Sequence, residues 1–289
     1  ITSVGKRFSH WCSNLKEINL EGFNLKIING DFLSRCTSLE KVKFPKLMEN
    51  AREIGSYFMA QTPMLKTIDM SCFSNVTEIG YAFMEKSGIT TIDFSKMTKV
   101  EDIGVMFMKE CKNLKTINLS GFSNVKIIGY DFLARTDLTS IDLSCFSNVE
   151  KIGHNFLANT QIQEIDLSSF SNVETIGRDF LANTQIKEID LSRMTKVKSI
   201  EGRFLYGCSE LKKVILPPNL ASLKDSYLFD ESDIKFEIVS HEPPMPPPGG
   251  PMPPMPPPGG GLTNQRVGGK KQRRTARKIK KNKHTQKRK

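Results

Sequence analysis

Apolar positions along this chain follow two interleaved periods. Locally, runs of the form L-x-x-I-x-L alternate apolar and polar residues, the period of a strand with one buried face. Over longer range the run returns every 24–26 residues, starting at Leu15, Leu39, Leu65, Ile89, Leu114, Leu138, Ile162, Ile186 and Leu211. The repetition is nearly verbatim in one place: FSNVEKIGHNFLANTQIQEIDLS from Phe146 is followed by FSNVETIGRDFLANTQIKEIDLS from Phe170. One such unit cannot bury its own apolar side, so this period predicts a stack of coils sharing a continuous core. In the I-D-L-S step, Ile165 and Leu167 are expected inside, and Asp166 and Ser168 outside.

The second half of each unit reads I-G-x-x-F-[LM]. Its aromatic column runs Phe32, Phe58, Phe83, Phe107, Phe132, Phe156, Phe180 and Phe204, and a half copy places Phe8 ahead of them. Four residues after each Phe comes a small residue: Cys12, Cys36, Thr62, Ser87, Cys111, Thr136, Thr160, Thr184 or Cys208. Because Cys, Thr and Ser interchange there, those cysteines read as members of a ladder that needs no disulfide. Cys72 and Cys145 share another slot with Lys96, Gly121 and Ser169. The Gly after the inward Ile (Gly55, Gly80, Gly104, Gly129, Gly153, Gly177) predicts a bend with positive φ. Asn29 fills that slot once, a residue tolerant of the same conformation, and Glu201 fills it beside Gly202. The two near-identical copies differ at Lys151/Thr175, His154/Arg178, Asn155/Asp179 and Gln163/Lys187, all expected outside. Nine coils about 4.8 Å apart make a body roughly 40 Å long.

The pattern L-x-x-I-x-L-S-x-F-x-x-V-x-x-I-G-x-x-F-[LM]-x-x-[CT] resembles the BspA-type, or Treponema-type, leucine-rich repeat over about residues 1–223. The Asn usual at the ninth position of leucine-rich repeats is replaced by Phe23, Leu47, Phe73, Met97, Phe122, Phe146, Phe170 and Met194. One departure from the family is that Pro follows the strand only at Phe44-Pro45 and Leu216-Pro217, where most copies carry Ser. The resemblance implies a right-handed, β-rich leucine-rich repeat solenoid with short strands on both sides of each coil. It also implies a surface or host-interaction protein of the kind found in bacteria, protists and giant DNA viruses, with giant-virus or protist origin as the expectation here.

Function on a solenoid lies in its outward columns. One reads Asn19, Lys43, Asp69, Asp93, Asn118, Asp142, Asp166, Asp190, Ile215; another, two residues on, reads Ser71, Ser95, Ser120, Ser144, Ser168, Ser192. A third includes Thr67, Thr91, Thr116, Ser140, Glu164 and Glu188. Asp69, Asp93, Asn118, Asp142, Asp166, Asp190, Glu164 and Glu188 are therefore the candidate docking face for a basic or polar protein partner. A plainer account is that these ladders solvate the face and tie strand ends by hydrogen bonds. A row of carboxylates could also take a cation. Stacked like charges repel, and Lys66, Lys115 and Lys187 are the expected compensators.

Charge divides the chain. Residues 1–261 hold 29 Lys and Arg against 31 Asp and Glu, whereas residues 262–289 hold 13 Lys and Arg and no acid, so the basic character belongs to the tail alone. The organisation expected is a solenoid over 1–242 that starts mid-repeat and closes with a cap at 217–242, a Pro/Gly/Met-rich linker at 243–261, and a basic, disordered tail at 262–289. The linker is a plain spacer or a ligand for an SH3-, WW- or profilin-like groove. The tail cations Lys270, Lys271, Arg273, Arg274, Arg277, Lys278, Lys280 and Lys281 suit a nuclear-import signal, a nonspecific nucleic-acid tether, an anionic-membrane tether, or folding back on the Asp stripe. No apolar run is long enough for a transmembrane segment. Cysteine usage and the tail favour an intracellular, nuclear or virion-associated setting; a signal peptide ahead of Ile1 would instead mean a cell surface. The four histidines are scattered and no nucleophile, metal or phosphate-loop motif is present, so the expectation is a noncatalytic, cofactor-free monomer.

Overall fold

The computed structural model describes residues 1, 2, 4–225 and 234–240; the expected linker and tail lie outside the described residues. Over the described residues the chain is a β-solenoid of about nine turns with parallel strands on both sides. The longer ladder runs along the I-G side. Glu53–Ile54, Glu78–Ile79, Asp102–Ile103, Ile127–Ile128, Lys151–Ile152, Thr175–Ile176 and Ser199–Ile200 pair in that order, isoleucine on isoleucine. The other side is broken into short pieces. Glu17–Asn19 pairs with Lys41–Lys43, and Thr91–Asp93 with Thr116–Asn118. Glu188–Asp190 pairs with Lys213–Leu216, which pairs in turn with Lys235–Ile238.

Positive φ, expected at the Gly slot, is absent there: none of Gly55, Gly80, Gly104, Gly129, Gly153 or Gly177 adopts it, nor does Asn29. These glycines serve close approach instead. A Cβ on Gly104 would lie 2.5 Å from the Gly80 carbonyl oxygen, and one on Gly177 would lie 2.6 Å from the Gly153 carbonyl carbon. Without it, the Gly104 N–H reaches the Ile79 carbonyl at 2.8 Å and extends the ladder by a residue. Positive φ falls around the Phe column, one residue before it, one after and three after, from Arg7, Ser9 and Trp11 in the first coil to Arg203, Leu205 and Gly207 in the last. None of the 26 non-glycine residues in this group is β-branched, consistent with the steric cost of that region. Alternation aims successive N–H groups at opposite neighbours. Arg35 donates to Ala60 in the next coil at 2.8 Å, and Leu33 to Phe8 in the previous one at 2.9 Å. Inter-coil hydrogen bonds thus offset the conformational cost.

Within the coils the Phe column is a single stack. From Phe8 to Phe204, consecutive ring centroids are 5.1–5.7 Å apart. The ninth-position rings meet it edge-on, as Phe170 meets Phe156 at 90°. Beside the stack, the hydroxyls of Thr62, Thr136, Thr160 and Thr184 donate to the carbonyl three residues back at 2.9–3.0 Å. Cys111 Sγ reaches the Met84 carbonyl at 3.1 Å. All six cysteines are free thiols. Burial pushes Cys111 up to about 11, and Cys72 and Cys145 up to about 12.

Ile165 faces inward as expected, half-buried and packed against the core like Ile68, Ile117 and Ile141. Other expectations about facing need correction. Ser192 is buried. Asp179, expected outside as a difference between the twin copies, is 7% exposed and accepts a hydrogen bond from Arg203 Nε at 2.8 Å. The twin position His154 is likewise half-buried; its Nδ1 accepts the Arg178 N–H at 3.0 Å, and its ring lies against Tyr130 at 4.1 Å. The structure adds a polar ladder that the apolar period does not reveal. In the S-N-V step, Asn124, Asn148 and Asn172 donate their amides to Thr98, Ser123 and Ser147 carbonyls of the preceding coil, all at 2.8 Å. Its signal in the sequence is the recurrence of Asn one residue before the Val of each S-N-V step.

Candidate interaction surface

Asp69, Asp93, Asn118, Asp142, Asp166 and Asp190 are all exposed, as are Glu164 and Glu188. The six in the Asp column share one local geometry. Each Oδ1 accepts the backbone N–H two residues on, at Ser71, Ser95, Ser120, Ser144, Ser168 and Ser192, over 2.8–3.0 Å. A short side chain that can bond its own backbone is what makes Asp and Asn suit a strand end that turns sharply. The Ser144 and Ser168 N–H groups hold the Asp142 and Asp166 carboxyls below their ordinary range. These carboxylates therefore stay ionised into mildly acidic conditions.

The expected lysine compensation does not form among the described residues. Lys66 turns its ammonium to the Pro63 carbonyl at 3.2 Å, and no ion pair joins Lys66, Lys115 or Lys187 to the stripe among the described residues; Lys213, which pairs with Glu237 at 3.0 Å, lies within the field of Glu188 and Asp190. Each carboxylate thus keeps one oxygen free of side-chain cations. Between the columns lies an open groove of about 720 Å³, lined by Glu40–Val42, Thr67–Asp69, Thr91–Asp93 and Thr116–Asn118. It sits where residues 67–69 join no strand ladder, so the half-buried Ile68 and Ile117 form an apolar floor between polar walls.

Catalytic chemistry finds little support in the geometry. His10 Nδ1 lies 2.7 Å from Ser34 Oγ, and Ser34 Oγ lies 3.2 Å from Asp31 Oδ1. The same His10 nitrogen faces Asp31 at 3.7 Å, and Ser34 is buried, so the hydroxyl has neither a separately oriented base nor access to a substrate. Among the described residues no group of three or more His, Cys, Asp or Glu side chains is placed to hold a metal ion. The tail cations lie outside the described residues. No helix among the described residues is long and apolar enough to cross a membrane.

Comparison with known families agrees with the coil geometry. The BspA type Leucine rich repeat region matches residues 2–134 and 126–241, in six copies. The chain belongs to this family. Among curated proteins none matches. Of solved structures, this BspA-type chain is similar to a leucine-rich repeat protein from Bacteroides ovatus, with 20% identity and a TM-score of 0.54; the match covers 83% of this chain and 64% of that one. It is also similar to a leucine rich cell surface protein from Faecalibacterium prausnitzii, with 15% identity, a TM-score of 0.40, and 80% and 84% of the two chains covered. A third likeness is to the functional domain of InlJ from Listeria monocytogenes, which includes a cysteine ladder, with 16% identity, a TM-score of 0.33, and 78% and 54% covered. The first likeness supports the fold, and this chain spans only about two-thirds of that protein's length.

Proposed function

We propose that this BspA-type protein is a noncatalytic interaction scaffold whose T-I-D face docks a protein partner. The observation that carries this reading is the 720 Å³ groove, where an apolar floor at Ile68 and Ile117 is walled by Thr91, Asp69 and Asp93. An apolar centre inside a polar rim is the anatomy of a protein interface. The carboxylates Asp142, Asp166, Asp190, Glu164 and Glu188 extend the rim and favour a basic or polar partner. The basic tail would serve tethering or targeting. Its 13 cations in 28 residues support a second reading, in which the tail drives association with nucleic acid or an anionic surface and the solenoid acts as a spacer.

The test uses the full chain and a partner recovered by cross-linking. Thr91→Arg, which fills the groove, is expected to weaken that partner's binding at least tenfold. Replacing Lys270, Lys271, Arg273 and Arg274 with Ser is expected to leave it within about twofold. The reverse pattern, with binding that collapses as salt rises, would establish the tail reading instead.

A further inference from the structure

A second surface is built on the turns around the Phe column, away from the T-I-D face. The positive-φ slots there turn their side chains outward at Arg7, Trp11, Arg35 and Tyr57. Trp11, the chain's one Trp, is 64% exposed. Tyr57, Tyr81, Tyr130 and Tyr206, all the tyrosines among the described residues, lie on these same turns and are exposed as well. Trp11, Arg35 and Tyr57 surround a pocket of about 440 Å³ that also takes in Arg7, His10 and Asp31. Trp, Tyr and Arg are the side chains that most often anchor protein interfaces.

We infer that this pocket recognises an acidic segment of a partner protein, one carrying an apolar side chain flanked by carboxylates. Arg35 places its guanidinium 5.0 Å from the centre of the Trp11 ring and makes no ion pair among the described residues. Stacking preorders its fork for two-point bonding to a carboxylate. Arg7 adds a second exposed cation, 4.0 Å from Asp31. Asp31 is already committed within the pocket, accepting from Ser34 Oγ at 3.2 Å and facing His10 at 3.7 Å, so it leaves Arg35 unneutralised. The apolar side chain of the ligand would lie between Trp11 and Tyr57. A polynucleotide fits less well: Asp31 lines the pocket, and residues 1–261 carry 31 acids against 29 cations, which repels a dense row of phosphates. This inference is independent of the groove on the T-I-D face.

Because Trp11 is the sole Trp, its emission reports on this pocket alone. The probe is a fluorescein-labelled peptide, Glu-Glu-Phe-Glu-Glu-Leu, added to the full chain. Trp11 emission is expected to shift to the blue as the anisotropy of the peptide rises. Arg35→Glu should weaken binding at least tenfold, and Arg35→Gln by an intermediate factor. Arg135→Glu, which alters the same slot four coils away, should leave affinity within twofold. Circular dichroism of each variant confirms that it is folded. No Trp11 emission change up to millimolar peptide would overturn the inference. So would an equal Trp11 shift with the Lys-for-Glu peptide, a Trp11 shift at lower concentrations of a 12-nucleotide oligo(dT), or an undiminished shift in folded Arg35→Glu; anisotropy without a Trp11 shift reports the basic tail.

Discussion

At the scale of single residues, the glycine column shows how a legible pattern can hide its cause. The spacing of Gly55 through Gly177 is plain in the sequence, but a bend and a close approach leave the same trace there. Only the neighbouring coil separates them. In Gly153→Ala the new methyl would lie 2.7 Å from the Gly129 carbonyl carbon and from the Tyr130 nitrogen, backbone atoms that cannot swing aside. The expected loss is about 1–3 kcal/mol by urea unfolding. Gly202→Ala, where nothing lies within 4 Å, is expected to change stability by less than about 0.5 kcal/mol.

The thiols give a second residue-scale prediction. Cys12 is exposed, whereas Cys72 and Cys111 are buried and Cys145 is half-buried. A maleimide at pH 7.5 should therefore label Cys12 first and reach Cys72, Cys111 and Cys145 only as the chain unfolds. Folded Cys72 and Cys145 hold their protons above the ordinary value of 9.0, up to about 12. As pH rises past 9.0 the unfolded chain releases these protons first, so their contribution is whole below that pH and declines from there towards about 12. Melting temperature should fall across that window, and less steeply in a Cys72→Ala/Cys145→Ala double variant.

At the scale of the coil, the apolar columns could be read directly because burial imposes a period, while the hydrogen-bonded pairing could not. The L-x-x-I-x-L run has the alternation of a strand, yet residues 67–69, 140–142 and 164–166 join no strand ladder, and the continuous ladder runs on the I-G side. Alternation reports which side chains are inside; it does not report how near the adjacent coil comes. Glycine stacking settles that on one side only. The outward Asp column was legible as a column, and ties to strand ends were one expectation for it; which backbone N–H each carboxylate takes was not legible, since both a solvated stripe and a turn-forming one read as Asp at fixed spacing. Phe156→Ala removes a ring stacked 5.5 Å from Phe132 and 5.3 Å from Phe180, and should cost roughly 3–5 kcal/mol. Asp166→Ala frees only an exposed Ser168 N–H to water, and should cost about 1 kcal/mol or less. Equal shifts in the two thermal melts would mean that the columns are not divided into core and surface as described.

At the scale of the whole molecule, each coil packs on its neighbours, the 3.4 Å approach of His154 to Glu201 across one intervening coil apart, so stability should be close to a sum of coils and interfaces. The near-verbatim repetition makes this testable without new side chains. Excising Phe146 to Ser169 joins Cys145 to Phe170 and restores the same local sequence, FSNVE, at the junction. Phe132 would then stack on Phe180, in the place Phe156 now holds, and the Asn172 amide would meet Ser123 instead of Ser147. The shortened chain is expected to fold, with a far-UV spectrum of the same shape and a smaller urea m-value in proportion to the surface lost. Excising only residues 158–169 shifts every later column by half a coil, which sets the I-G ladder against the T-I-D side and leaves the Phe stack broken. That variant should not fold. If the full-coil excision also failed, the solenoid would depend on a particular coil, and the nearest-neighbour account of its core would have to be abandoned.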